Sequence, residues 1–197
     1  MPSGRTHDRV TLWSLPVVAA IAFERTRSSN LTLLVAGGFL LGGLMFGPDL
    51  DTYSRQYQRW GILRWIWLPY QKSIRHRSPL SHGPLLGTAI RVVYIALWVA
   101  FLGAIAISLS AVARQLSGDD LAWHVLASQN IGVMAAWMGR SLQSNLSQCF
   151  ALLVGLELGA MSHSLCDWGG SAYKRFQKQG LKGVFPPKNK KKRKRRR

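Results

Sequence analysis

The sequence predicts an all-α protein: a multi-pass transmembrane helical bundle of about four crossings, with interfacial helices and a disordered basic C-terminal tail. Three observations carry this reading. Residues 92–113 run for 22 positions without a charge, enough to cross a hydrocarbon core about 30 Å thick. Residues 28–48 form a second uncharged run of 21, rich in Leu, Gly and Phe. The last ten residues, Lys188–Arg197, hold nine positive charges and nothing apolar, so they repel one another and have no core to form. That tail supplies half of the net charge of +18 and pulls the mean hydropathy close to zero, which hides the apolar segments. Residues 1–175 are therefore expected to form one membrane-embedded domain, and 176–197 the tail.

The elements follow in order. Val10–Phe23 comes after Arg5 and Arg9, as a secretion signal would, but Glu24-Arg25-Thr26-Arg27 follows it in place of a small-residue cleavage site. It reads as a retained first helix, short and distorted by Pro16, which removes one backbone donor. Leu31–Gly47 is the second crossing, ended by Gly47-Pro48. Tyr53–Pro84 is too long for a tight turn and too polar to cross. Its centre interleaves Trp60, Trp65, Trp67 and Tyr70 with Arg59, Arg64 and Lys72, the pattern of a helix lying in the headgroup zone. Thr88–Ala113 crosses again. Leu121–Gly139 clusters Ser128, Gln129 and Asn130 at its centre, which hydrocarbon penalises, so an interfacial or re-entrant helix is expected there. Leu146–Met161, interrupted by Glu157, is the fourth crossing.

This topology sorts the polar residues. If the chain starts on one face, the second crossing returns Asp49 and Asp51 to that face. His76 and His82 stay there, and the fourth crossing brings back His163 and Asp167. Of the 26 Lys and Arg residues, only Arg25, Arg27, Arg114 and Arg140 fall on the far side, with Arg91 just inside the third helix. The positive-inside rule then makes the starting face, and both termini, cytoplasmic. An inner-membrane location follows.

Four of five His and four of eight acidic residues thus collect on one face. His163 and Asp167 are four apart, which places both on one side of a helix. Asp49 and Asp51 are expected to point the same way from an extended turn. His82 sits in Ser81-His82-Gly83-Pro84, and His7-Asp8 precedes the first helix. Each pair alone is commonplace, and a His among arginines, as in Arg75-His76-Arg77, more often meets phosphate than metal. Together they suggest a divalent metal site. Mixed imidazole and carboxylate donors suit Zn best, with Mn or Fe also compatible, and the donors exceed one ion's need. Cys149 and Cys166 lack paired-Cys spacing. Cys166 reads as a small buried residue before it reads as a soft extra ligand.

Arg5-Thr6-His7-Asp8, Gly47-Pro48-Asp49-Leu50-Asp51, Arg59-Trp60-Gly61, His76-Arg77-Ser78-Pro79-Leu80-Ser81-His82-Gly83 and His163-Ser164-Leu165-Cys166-Asp167 resemble a bacterial family of uncharacterised metal-binding membrane proteins. The order of these motifs is similar to that of the broader membrane-bound metal-dependent hydrolases, themselves distantly similar to zinc-dependent phospholipases. The resemblance covers about residues 1–175 and omits the tail. It implies His7, Asp49, Asp51, His82, His163 and Asp167 as ligands, with His76 and Asp8 as ligands or their supports. It also implies that Arg75 and Arg77 hold a phosphate or lipid headgroup, which Arg matches in bidentate fashion. The broader family often has Gly after the His-Arg pair, where Ser78-Pro79 stands here, so this loop departs from the pattern.

Three functions compete. A metal-dependent phosphoester hydrolase, with lipids among the candidate substrates, would use Asp8 or Asp51 as base. A non-catalytic protein would use the ion to staple helix ends. A tether would use the tail on anionic lipid headgroups or, less favoured, on nucleic acid. A transporter fits poorly, because buried charge is limited to Glu157 with Arg91 and Arg140 near helix ends. The partner of Glu157 is left open between Arg91, Arg140 and none.

Overall fold

A computed structural model describes residues 4–74, 78–118 and 120–180; Arg75, His76, Arg77 and the basic tail lie outside them. The described chain is all-helical. Its long helices are α1 (Gly4–Thr26), α2 (Ser29–Leu44), α6 (Leu86–Leu116), α7 (Trp123–Ser144) and α8 (Leu146–Gln179). Between α2 and α6 lie short pieces: a 3-10 turn at Pro48–Asp51, α3 (Arg55–Gln58), a 3-10 stretch at Gly61–Trp67, α4 (Leu68–Ser73) and α5 (Pro79–His82).

The first helix is longer than its apolar run. It continues through Pro16 and includes His7 and Asp8, where the sequence reading put them before the helix. A buried Thr11 hydroxyl donates to the His7 carbonyl at 3.1 Å. At the far end, Ser28 caps α2 by accepting from the Leu31 N–H, which folds α2 back antiparallel to α1. Thr11 then meets Gly43, while Ala22 shares a cluster with Val35 and Ala151.

Glycine sets the central contact. Gly38 and Gly42 of α2 face Gly155 and Gly159 of α8, each pair spaced by four. A methyl group at Gly42 would stand on the Leu156 carbonyl oxygen, one at Gly155 on that of Val35, and one at Gly159 on that of Phe39. The matched order of these contacts makes α2 and α8 parallel. Small residues at this spacing let helix backbones touch where lipid gives no hydrophobic drive for association.

Three segments are long and apolar enough to cross a membrane: Ser29–Asp51, Leu86–Leu116 and Leu146–Gln179. They coincide with the last three expected crossings. The expected first crossing, within α1, falls short of that standard because Arg5, Asp8, Arg9, Glu24 and Arg25 bracket it. None of the most apolar window of α6 is buried, and α7 touches it mainly through Ala111, Leu126 and Ala127.

The aromatic stretch divides rather than forming one continuous in-plane helix. Trp67 and Tyr70 are enclosed with Phe46, Leu50 and Tyr57, and the Tyr94 hydroxyl donates to the Ile66 carbonyl. Ile62, Leu63 and Trp65 remain exposed. The buried half packs the chain following α2 against the start of α6, which fixes where Asp49 and Asp51 sit.

Candidate metal centre

Five residues from four parts of the chain converge at the α1 N-terminal end of the bundle. The His7 ring stacks on His163, with centroids 3.8 Å apart and planes within 15°. His7 Nε2 lies 3.4 Å from Asp167 Oδ1. His163 Nε2 lies 3.1 Å from Asp49 Oδ2, and the other Asp49 oxygen lies 3.8 Å from His82 Nε2. Each element's sequence explains its contribution. His163 and Asp167 share a face of α8 one turn apart, Gly47-Pro48 breaks α2 so that Asp49 turns back, and Gly43 leaves room for Thr11 and therefore for α1.

Asp49 and Asp51 do not share a direction. The 3-10 turn at Pro48–Asp51 replaces the expected extended one and separates them. Asp51 is buried and accepts from the Ser81 hydroxyl. Ser81 Oγ is also 2.6 Å from His82 Nδ1. With that hydroxyl proton on Asp51, Ser81 accepts from Nδ1–H, which turns the Nε2 edge of His82 toward Asp49.

The donor set fits a metal. Ligand atoms of His7, His163 and Asp167 all lie within 4.8 Å of one another. His7 Nδ1 is buried without a hydrogen-bond partner among the described residues, and the buried His163 Nε2 and Asp167 Oδ1 have only their ion-pair contacts with Asp49 and His7. Such atoms are costly to bury unless something satisfies them, and two imidazoles with a carboxylate are standard ligands. The 3.4 Å between His7 Nε2 and Asp167 Oδ1 is also the edge of a tetrahedron with bonds of about 2.1 Å.

Burial holds the His7 imidazole below its ordinary value of 6.5, and the neighbouring His163 adds to this against the opposing pull of Asp167, Asp49 and Asp8. A lowered folded-state value favours the neutral, ligating form. Its stabilising effect is complete above about pH 6.5 and is lost as pH falls toward the folded-state value. The metal-free protein should hold its melting temperature from pH 8 to 7 and lose it progressively below about 6.5. His7→Gln should flatten that dependence in thermal melts.

Asp8 faces differently. Arg59 grips both its oxygens at 2.9 and 2.7 Å and also donates to the Leu44 carbonyl, while Arg55 adds a contact at 3.0 Å. The carboxylate clamps α1 to the segment following α2. Cys166 is outside the metal-compatible group, and His76, Arg75 and Arg77 lie outside the described residues.

Sequence reasoning missed Gln56. Buried, it donates to the Gly43 carbonyl at 2.8 Å and accepts from the Asp49 N–H at 3.2 Å. Its amide nitrogen lies 3.4 Å from His163 Nδ1, too long a contact to fix that ring's tautomer. No local pattern marks a glutamine as the brace of a site. Arg59 stood in a quoted motif without a role, and Ser81 stood beside His82 unremarked.

A family model with the description "Uncharacterized metal-binding protein (DUF2227)" matches residues 2–177. The chain belongs to that family. It is also 41% identical over 59 residues to an uncharacterized protein of Aquifex aeolicus (strain VF5). That match takes in 29% of this chain and 41% of the relative. No solved structure matches the chain.

Proposed function

We propose that this chain is a membrane-embedded, metal-dependent phosphoester hydrolase, with its metal at the cytoplasmic face of the inner membrane. The observation that carries this reading is the convergence of His7, Asp49, His163 and Asp167, with buried unsatisfied ligand atoms, beside a Ser81–His82–Asp51 chain. His7, His163, Asp167 and Asp49 would hold a divalent ion, Zn before Mn or Fe. His82 stands between Asp49, at 3.8 Å, and Asp51, at 4.0 Å, so the donors suffice for a second ion. A bound ion would lower the pKa of a water toward 7 and stabilise charge on phosphoryl oxygens.

The chain's own residues divide the remaining work. His82, oriented by Ser81 and Asp51, would serve as the base that takes the proton. Asp51 thus acts through the hydroxyl, and we favour it over Asp8 as the acidic partner because two arginines already engage Asp8. Gln56 holds the Asp49 backbone in place. Arg75 and Arg77, which flank His76 in the segment leading to His82, would receive the phosphate. This reading keeps the kinship with membrane-bound metal-dependent hydrolases and four crossings, with α1 passing through beside α2. It keeps both termini cytoplasmic and the tail on anionic headgroups, with nucleic acid as the lesser partner.

The non-catalytic alternative has support of its own. The ligands tie α1, the turn after α2, and α8 together, as a structural ion would. Against it, His82 lines a cavity that approaches the site from one side, giving a substrate somewhere to stand. Purified protein reloaded with Zn, Mn or Fe(II) should hydrolyse a chromogenic phosphodiester. Asp49→Ala and His163→Ala should each lower the rate at least about a hundredfold; unchanged rates in both would end the hydrolase reading.

A further inference from the structure

The cavity behind His82 is a built site in its own right. It encloses about 210 Å³ between the start of α6 and the face of α8 that carries Glu157, Met161, Ser164 and Trp168. That is room for about seven waters, at about 30 Å³ each, or for a ligand of similar bulk. Glu157 and Arg91 both line it. Glu157 Oε1 accepts from the Leu85 N–H at 2.9 Å, while Oε2 is buried without a hydrogen-bond partner among the described residues. Arg91 is 1% exposed. Its Nη1 and Nη2 are held by the Ser81 carbonyl and the Thr88 hydroxyl, and the Tyr70 hydroxyl lies against the same guanidinium.

The backbone is strained to make this arrangement. Leu85 adopts φ 61°, ψ −52°, a γ-turn closed by the Leu86 N–H to the Pro84 carbonyl at 2.7 Å. A branched residue rarely takes this conformation, and strain of that kind gathers at ligand-binding positions. Here it aims the Leu85 N–H at Glu157.

We infer that this cavity binds the polar end of an amine-bearing phosphoester, with the ammonium group on Glu157. This inference rests on the reading of the neighbouring metal centre as a phosphoester site. A carboxylate oxygen left unsatisfied in the wall of a cavity is a group that holds an alkylammonium, and the neighbouring metal centre takes the phosphate of the same ligand. The phosphate then lies toward Arg91 and His82, on the metal side. The source of the group is either a soluble phosphoethanolamine or the headgroup of a phospholipid, whose chains would leave past exposed Leu85 and Leu165.

Glu157→Gln separates recognition from folding, because Gln retains an oxygen for the Leu85 N–H and loses the charge. Calorimetric titration of full-length, metal-loaded protein in neutral detergent would compare phosphoethanolamine with glycerol phosphate. Wild type should bind the amine at least about tenfold more tightly, and Glu157→Gln should lose that preference while melting like wild type. If Glu157→Gln fails to fold, Glu157→Asp, which keeps the charge but draws it back by one methylene, should weaken the same preference. A second arm uses phosphatidylethanolamine and phosphatidylglycerol in mixed micelles. A preference in that arm alone identifies the lipid as the source, and one already present with the soluble esters identifies the free compound. Equal binding of both esters in both arms, binding of neither, or a preference that survives undiminished in Glu157→Gln or Glu157→Asp would overturn the inference. An amine preference without any hydrolysis would sink the hydrolase reading and leave this one standing, and hydrolysis without preference would do the reverse.

Discussion

Gly159→Leu should abolish the fold and the metal site together. Gly159 sits where α8 touches the α2 backbone: a methyl group there meets the Phe39 carbonyl oxygen and comes within 2.6 Å of the Gly43 nitrogen. Both obstacles are backbone, so no side-chain rotation relieves the clash. Overpacking ordinarily costs about 1–3 kcal/mol, and this substitution forces apart two helices along their shared face. Asp49 leaves the end of α2, and His163 stands one turn beyond Gly159. Spreading the pair separates the ligands before any of them is altered. Thermal unfolding in detergent should show little folded Gly159→Leu protein. Gly103→Leu and Gly132→Leu, where an added Cβ meets nothing within 4 Å, should melt like wild type. Normal melting of Gly159→Leu would contradict the packing described.

The second large effect belongs to the ligands. In the Asp49→Ala/His163→Ala variant the remaining His7 and Asp167 are too few to hold an ion, since structural and catalytic sites alike use three or four protein ligands. Ligand binding stabilises the folded state by RT ln(1 + [L]/Kd), about 2.7 kcal/mol at a hundred times Kd. For a chain of this size that is a shift of about 5–10 °C. Adding a chelator to loaded wild type should lower its melting temperature by that amount. The same addition should leave the double variant unchanged. Equal sensitivity in both proteins would place the ion elsewhere.

Much of this arrangement was legible in the sequence because it depends on where apolar runs stop. The runs ending near Gly47 and Met161 placed Asp49, His163 and Asp167 at one end of the bundle, and the i, i+4 spacing put the last two on one face. Local geometry was not legible. Whether Pro48–Asp51 is extended or a 3-10 turn depends on Gln56 and Leu50, which pack against it from outside the segment. Trp67 and Tyr70 read as headgroup anchors because composition does not separate a buried aromatic cluster from an interfacial one. The facing glycine pairs of α2 and α8 were visible as letters, but their partnership required knowing that the two helices run parallel. The open pairing of Glu157 resolves into the Leu85 backbone rather than Arg140, since a strained turn offers an N–H that no pattern announces.

The central claim is that His7, Asp49, His163 and Asp167 form a metal site. Elemental analysis of the detergent-purified protein beside the Asp49→Ala/His163→Ala variant, both reloaded and dialysed, tests it most directly. Wild type should hold about one or two equivalents of Zn, Mn or Fe and the variant essentially none. Equal metal in the two proteins, or negligible metal in both, would contradict it.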